Sequence, residues 1–213
     1  MIDRMHAALL VVDVQHDFLP GGALAVGEGD RILAPLRALL ESRAFDIVVA
    51  TQDWHPPNHV SFASHHVGRR SGETITLYGR DQMLWPDHCV AGTRGADLHP
   101  ELPWRFFRAI VRKGTDPAVD SYSGFRNNWN VGGRRPPTGL AGYLRELEIR
   151  DVYVCGLARD VCVKWTAEDA VELGFSTTVL WDLTRPVYPA SDSSVAASLG
   201  AAGVRIADAA AVA

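Results

Sequence analysis

The sequence predicts a single α/β domain with a mostly parallel sheet and helices on both faces. Its 213 residues suit one domain with a full core, or one domain with a small subdomain. Strand-like and helix-like stretches alternate along the chain, which is typical of parallel strands joined by helical connections. The strand-like stretches are apolar throughout, as expected where both faces of a sheet are covered. Because no repeat or linker divides the chain, we treat 1–213 as one domain.

The first part of the chain predicts a strand, a helix and a second strand. Residues 7–14 (AALLVVDV) form a short, valine-rich apolar run with one acid near its end. Residues 31–43 carry isoleucine and leucine at roughly helical spacing, and Pro35 lies in the predicted first turn. Residues 46–51 (DIVVAT) form the second strand. The regular pattern then stops, and about 52–105 is expected to be a loop-rich insertion, which at this length usually carries function.

The remaining elements continue the alternation and bring the number of predicted strands to six. The later strands are short apolar runs, and the helix before Gly174 ends where a glycine cap is expected. Strands are predicted at 109–112, 152–155, 177–180 and 204–206, and helices at 138–148, 160–173 and 190–202.

Composition excludes several classes of function. A formal net charge of −4 with 22% charged residues gives no basic surface for nucleic acid. No apolar run approaches the roughly 18–20 residues of a membrane span, and residues 1–6 lack the start of a signal peptide, so we expect a cytoplasmic protein without a membrane partner. Three cysteines are too few, and odd in number, for a disulfide framework. Of the eight histidines, six fall between residues 55 and 99, which is the first indication of a site.

Reactive side chains stand at the ends of the predicted strands. Asp13, Asp53 and Lys113 follow or close the first three strands, and Cys162 follows the fourth. Since ligands bind outside the carboxyl ends of parallel strands, these groups should converge. We expect Cys162 to be a nucleophile whose thiolate is favoured by a helix N-terminus and by Lys113, with Asp13 as the base. The alternatives are a core cysteine and an acid that only caps a turn or forms a salt bridge.

A metal site is predicted in the insertion. Asp53 and His55 lie one residue apart on an extended segment, so both side chains can point the same way, and His88 could supply a third ligand. One carboxylate with two imidazoles suits a divalent ion, with Zn expected first and Fe or Mn as alternatives. Among the other histidines, His59 is the best candidate for an additional ligand.

Six blocks of the sequence resemble the nicotinamidase/pyrazinamidase branch of the isochorismatase-like hydrolases. They cover most of the chain, and the pair DWH and WPDHC is typical of this branch. The blocks are VVDVQHDFLPGGALAV (11–26), TQDWHPPNHVSFAS (51–64), LWPDHCVAGTRGADLHPEL (84–102), IVRKG (110–114), YSGF (122–125) and GLARDVCV (156–163).

The resemblance implies a Rossmann-like fold and a reaction in which nicotinamide, and by extension pyrazinamide, is hydrolysed to the acid and ammonia, in NAD salvage. It implies a cis peptide at Leu157-Ala158 and a small-molecule partner, with a homo-oligomer possible. The implied site residues are Asp13, Lys113 and Cys162 as catalytic triad, the N–H groups of Ala158 and Cys162 as oxyanion hole, Asp53, His55 and His88 as metal ligands, and Phe18, Trp85 and Tyr122 around the substrate.

Two departures and two competing interpretations remain open at this point. The segments 129–135 (WNVGGRR) and 184–189 (TRPVYP) are unusual for the family and leave its substrate breadth and subunit contacts open. Arg159 stands where many members carry a small polar residue, and its long side chain is expected near the pocket mouth. A related hydrolase acting on a carbamoyl or ureido substrate would keep the triad but have no use for the metal ligands. A metal-stabilised binding domain with an inert cysteine would release no ammonia.

Overall fold

The computed structural model describes residues 3–212, and these form a six-stranded sheet, a separate hairpin and four α-helices. The strands are β1 (Ala7–Val12), β2 (Ile47–Asp53), β3 (Thr74–Leu77), β4 (Arg80–Met83), β5 (Ala109–Lys113), β6 (Asp151–Leu157), β7 (Ser176–Arg185) and β8 (Arg205–Ala207). The helices are α1 (Leu33–Glu41), α2 (Leu140–Glu146), α3 (Lys164–Glu172) and α4 (Asp192–Ala201).

The main sheet has the strand order β5-β2-β1-β6-β7-β8, and every neighbouring pair is parallel. The predicted parallel α/β architecture is therefore confirmed. The central strand β1 is completely buried because its side chains alternate between two cores. Leu9 and Val11 pack in the core that contains the leucines of α1, whereas Leu10 and Val12 pack in the core that contains the apolar faces of α2, α3 and α4.

Several element boundaries differ from the predictions. Strand β1 ends at Val12 rather than at residue 14, because Asp13 takes a left-handed conformation with φ of 49° and the chain leaves the sheet. Strand β7 runs for ten residues, well beyond the predicted 177–180, since its polar second half continues beside β6. A π-helical turn, Arg159–Val163, replaces the predicted start of the third helix at residue 160, and α3 begins only at Lys164.

The hairpin of β3 and β4 corrects the expectation that the insertion lacks regular structure. Its strands pair in antiparallel register and are joined at Tyr78 and Gly79, which both have positive φ. Two such residues are typical of the tight turn that matches the twist of a hairpin. The alternation in TITL was a usable signal, but RDQM is too polar to be recognised as a strand.

Gly156 fixes how β6 leaves the sheet beside the site. Its φ is +110°, and a Cβ atom there would collide with the backbone of Val12 on β1. Only glycine fits this close approach, because any side chain would push β6 away from β1. Among the helices within residues 3–212, none has both the length and the hydropathy needed to cross a bilayer.

Candidate active site

The sheet brings the predicted reactive residues to one edge. Asp13 directly follows β1, Asp53 and Lys113 are the last residues of β2 and β5, and Cys162 lies in the π-helical turn after β6. These four strands are consecutive neighbours in the sheet, so their carboxyl ends lie side by side. The convergence follows from strand order alone, as expected for an open parallel sheet.

Asp13, Lys113 and Cys162 form a fully buried cluster. The Lys113 ammonium lies 2.9 Å from Asp13 Oδ2 and donates to the sulfur of Cys162 at 3.6 Å. It also forms an ion pair with Asp53 and donates to the carbonyl of Ser121 at 3.2 Å. One lysine thus connects the base, the sulfur and the neighbouring carboxylate in a single network.

The electrostatics of the cluster keep its cysteine protonated at rest. Burial raises the pKa of the Cys162 thiol well above its usual range, and the carboxylates of Asp13 and Asp53 raise it further, which outweighs the opposite effect of Lys113. The sulfur is more buried than its place in a first helical turn suggests, so the influence of Lys113 on its pKa is outweighed. Attack by Cys162 requires a base that removes its proton.

Asp13 has the properties of that base. Burial raises the pKa of the Asp13 carboxyl to about 6, although Lys113 and a 2.6 Å hydrogen bond from Thr51 Oγ1 act against the rise. A carboxylate with a pKa near neutrality accepts a proton more readily than an ordinary aspartate while remaining largely ionised at pH 7. The arrangement therefore supports proton transfer from sulfur to Asp13.

Asp53, His55 and His88 form a donor set that fits a divalent metal. Asp53 Oδ2 lies 3.6 Å from His55 Nε2 and 3.8 Å from His88 Nε2, so the three donor atoms surround one point. Each imidazole donates its Nδ1 proton to a backbone carbonyl, that of Gly114 at 3.0 Å or that of Pro86 at 2.8 Å. These bonds leave the lone pair of each Nε2 free, as is usual for metal-binding histidines, whose other ring nitrogen donates to a carbonyl or carboxylate.

Two further features make Asp53, His55 and His88 suitable as metal ligands. Burial is the largest effect on the pKa of His88 and lowers it to about 4, which leaves a neutral ring able to act as a ligand. Beside His55, position 114 requires glycine, because a Cβ atom there would collide with the His55 ring. The donors and their surroundings thus suit a cation better than a simple ion pair.

His59 lies beside this donor set but points elsewhere. Its ring stacks 4.1 Å from that of His55, while its nitrogens contact Ser61 Oγ at 2.8 Å and the Val119 carbonyl at 3.3 Å. Its donor atoms group with His55 and Asp120, not with Asp53 and His88. The geometry therefore gives His59 a place in the wall behind His55.

A narrow pocket lies above the cysteine and the donor set. About 350 Å³ of space, part of it open to solvent, lies between its walls. Phe18, Trp85, Tyr122 and Ala158 line it together with Cys162, Asp53, His55 and His88, whereas Asp13 and Lys113 lie behind the sulfur. Trp85 is held from one side by Tyr122, whose hydroxyl accepts its indole N–H at 3.2 Å. The Leu157-Ala158 peptide is cis, as the resemblance implied.

Several pocket residues were not predicted from the sequence. Asp120 and Ser121 line the pocket just before the YSGF block, and their place beside that block was the available signal. Val161 and Val187 complete the apolar wall. Val187 lies in the unusual segment 184–189, but the sequence did not predict that it reaches the pocket from the loop after β7.

Arg159 does not reach the pocket, which corrects the expectation that it lies near the mouth. Its side chain is buried on the other side of the turn, where Nε donates to Thr184 Oγ1 at 2.8 Å and Nη1 pairs with Asp192 at 2.6 Å. Its guanidinium also stacks on Trp181 at 3.9 Å. Arg159 therefore joins the turn to β7 and α4 and leaves the pocket to smaller side chains.

Comparison with known proteins agrees with this geometry. The family model described as "Isochorismatase domain" matches residues 7–211. The nicotinamidase of Acinetobacter baylyi is 47% identical over 85% of this chain and 82% of its own length, and that of Escherichia coli is 45% identical over 93% of both chains. Both alignments extend across nearly the whole domain.

Solved structures of nicotinamidases and pyrazinamidases also superpose on this chain. A nicotinamidase and pyrazinamidase from Acinetobacter baumanii superposes with a TM-score of 0.93 at 41% identity and covers all of both chains. A pyrazinamidase of Pyrococcus horikoshii, solved in complex with zinc, superposes with a TM-score of 0.77 at 34% identity, covering 95% of this chain and 99% of its own. Because the family model spans residues 7–211, the chain belongs to the isochorismatase family.

Proposed function

We propose that this protein is an amidohydrolase that converts nicotinamide and water into nicotinate and ammonia through a cysteine thioester. The observation that carries the proposal is the contact of Lys113 with both Asp13 and Cys162 at the base of a one-ring pocket. Curated relatives at 45–47% identity are nicotinamidases, which supports the choice of substrate. Pyrazinamide, which differs by one ring atom, fits the same pocket.

Substrate binding is assigned to the aromatic walls and the donor set. Phe18 and Trp85 would flank the pyridine ring, with Tyr122 fixing the indole of Trp85. Asp53, His55 and His88 would hold one divalent ion, for which zinc is the first choice because a zinc-bound relative shares the fold. When bound, that ion acts as a Lewis acid that orients and polarises the ring.

The first step forms the thioester. Asp13 takes the proton from Cys162, and the sulfur attacks the amide carbonyl carbon while Lys113 stabilises the developing negative charge on sulfur. The backbone N–H groups of Ala158 and Cys162 would donate to the carbonyl oxygen as it becomes an oxyanion. The C–N bond then breaks, the leaving nitrogen takes the proton from Asp13, and ammonia departs.

The second step regenerates the enzyme. Asp13, again a carboxylate, accepts a proton from water, and the resulting hydroxide attacks the thioester carbon. The C–S bond breaks, the sulfur of Cys162 recovers a proton from Asp13, and nicotinate leaves. In both half-reactions the Asp13 carboxylate accepts a proton and later returns one, so a single buried carboxylate is sufficient for both.

The direct test is the release of ammonia and nicotinate from nicotinamide by the purified protein. We expect kcat/KM for nicotinamide and pyrazinamide to exceed that for an open-chain ureido substrate, such as N-carbamoylsarcosine, by about a hundredfold or more, because the pocket walls are shaped for a ring. Absence of ammonia release from nicotinamide would refute the proposed function. A preference for the ureido substrate would favour the carbamoyl-hydrolase interpretation instead.

Removal of the metal is expected to lower kcat/KM for nicotinamide at least about tenfold, because the ring loses the ion that orients it. The measurement compares dialysed protein before and after chelation, with Zn²⁺ added back and metal content determined in parallel. His88→Ala should reduce both bound metal and activity. His65→Ala is the matched control, since His65 is exposed and its ring, which stacks on Phe62 at 6.3 Å, contacts the Pro57 carbonyl rather than the donor set. Equal metal content in both variants would contradict the assigned ligands.

A further inference from the structure

The loop at 186–191, called the strap here, forms a boundary of the pocket. It connects β7 to α4, and its Val187 lines the pocket beside Val161. Tyr188 and Ser191 of the strap instead line a wider outer cleft that shares the walls Trp85, Tyr122 and Val161 with the pocket. The position of the strap therefore determines where the inner pocket ends.

Asp160 holds the strap in place. One carboxylate oxygen accepts the backbone N–H of Val187 at 2.8 Å, and the other accepts that of Tyr188 at 2.8 Å and the hydroxyl of Ser191 at 3.3 Å. Bonds from N–H groups to an ionised carboxylate are among the stronger hydrogen bonds in proteins. Because Asp160 lies two residues before Cys162, the same π-helical turn carries both the nucleophile and the anchor of the strap.

The two ends of the strap are fixed by other contacts. Before it, Thr184 is bound by Arg159 through its hydroxyl and its carbonyl, both at 2.8 Å. After it, Asp192 is paired with the same arginine at 2.6 Å. Loss of the Asp160 carboxylate should therefore loosen the middle of the strap and leave its ends, and the fold, in place.

We propose that Asp160 is a positioning residue that sets the ring specificity of the enzyme by holding Val187 against the substrate. Asp160 is not among the residues that line the inner pocket, and it acts through the backbone of Val187. A β-branched side chain held at a fixed backbone position gives a rigid wall, which discriminates against substituents on the ring. The inference rests on the proposed nicotinamide hydrolysis and adds the residue that limits which ring amides are accepted.

The test measures kcat and KM of Asp160→Asn, Val187→Ala and the double variant. The substrates are nicotinamide and its 4-, 5- and 6-methyl analogues. We expect Val187→Ala to raise kcat/KM for one of the methyl analogues, relative to nicotinamide, by about tenfold. Asp160→Asn should raise kcat/KM for that same analogue by a similar factor. For nicotinamide itself, KM should rise while kcat changes less than about threefold. The double variant should gain little more than either single variant, because both changes remove one wall.

A matched control separates this role from general destabilisation. Asp182→Asn changes a carboxylate that also accepts a backbone N–H, that of Ala209 at 2.8 Å, but on the exposed side of β7. It should leave every substrate ratio unchanged. If Asp160→Asn does not fold, Asp160→Ser replaces it, and failure of both would show a structural role and overturn the proposal.

Two further outcomes are distinguishable. Unchanged ratios in Asp160→Asn, or fully additive effects in the double variant, would overturn the role of Asp160 while wild-type activity on nicotinamide keeps the proposed function. An inactive wild-type protein would remove the proposed function itself, and the strap inference with it.

Discussion

Replacing Cys162 with alanine is expected to lower kcat for ammonia release from nicotinamide by about 10⁴-fold or more. The sulfur is the only atom that can form the thioester, and neither Asp13 nor Lys113 can replace it as nucleophile. Fold and ring binding should persist, since the pocket walls and the metal donors do not depend on the sulfur. Steady-state ammonia release gives the rate, and mass spectrometry of the quenched wild-type enzyme should detect a nicotinoyl adduct that the variant lacks.

Cys155 provides the matched control. It is also buried, but it is a residue of β6 whose side chain packs in the core that contains the leucines of α1, where its sulfur is 3.6 Å from the Leu10 carbonyl. Cys155→Ala should lower the free energy of unfolding by about 1 kcal/mol and leave kcat unchanged. Substantial ammonia release by Cys162→Ala, or an adduct on another residue, would exclude the thioester mechanism.

Much of the site could be predicted because parallel strands impose a simple rule. Strand β1 reads as a continuous apolar run since its two faces meet two cores, and this pattern identifies it as a central strand. Once β1, β2 and β5 are recognised, Asp13, Asp53 and Lys113 must lie at one edge. Cys162 joins them because the strand before it is β1's other neighbour.

The rest of the site depends on contacts that sequence patterns do not encode. Val187 and Asp160 lie 27 positions apart in the chain, and the hydrogen bond from the Val187 backbone N–H to the Asp160 carboxylate does not depend on the side chain at 187. Arg159 was expected near the mouth because of its length, but Asp192 and Thr184 draw it to the opposite side. The strong effect of burial and of two carboxylates on the pKa of Cys162 also depends on the tertiary structure, because sequence position shows only the nearby helix terminus.

Replacing Lys113 with methionine is expected to impair both catalysis and folding. Burial alone would lower the pKa of Lys113, but the carboxylates of Asp13 and Asp53 outweigh it and hold that pKa well above its usual range, so the side chain is a permanent buried cation. Without it two carboxylates are left buried without their counter-charge, which should lower the free energy of unfolding by about 3–5 kcal/mol. Loss of the charge beside the sulfur should lower kcat about 10²–10³-fold. Urea unfolding and ammonia release measure the two effects separately.

The chain's other lysine, Lys164, gives the control for the loss of an ammonium group. Lys164 pairs with Glu168 one helical turn away at 2.8 Å and is partly exposed, so Lys164→Met should lower the free energy of unfolding by less than about 1 kcal/mol and leave kcat unchanged.

Lys113→Arg should fail to restore activity, because a planar guanidinium cannot replace a compact ammonium that contacts Asp13, Asp53 and Cys162 at once. Near-normal kcat in Lys113→Met would show that Asp13 alone activates the sulfur, and the lysine would then serve only to neutralise the two acids.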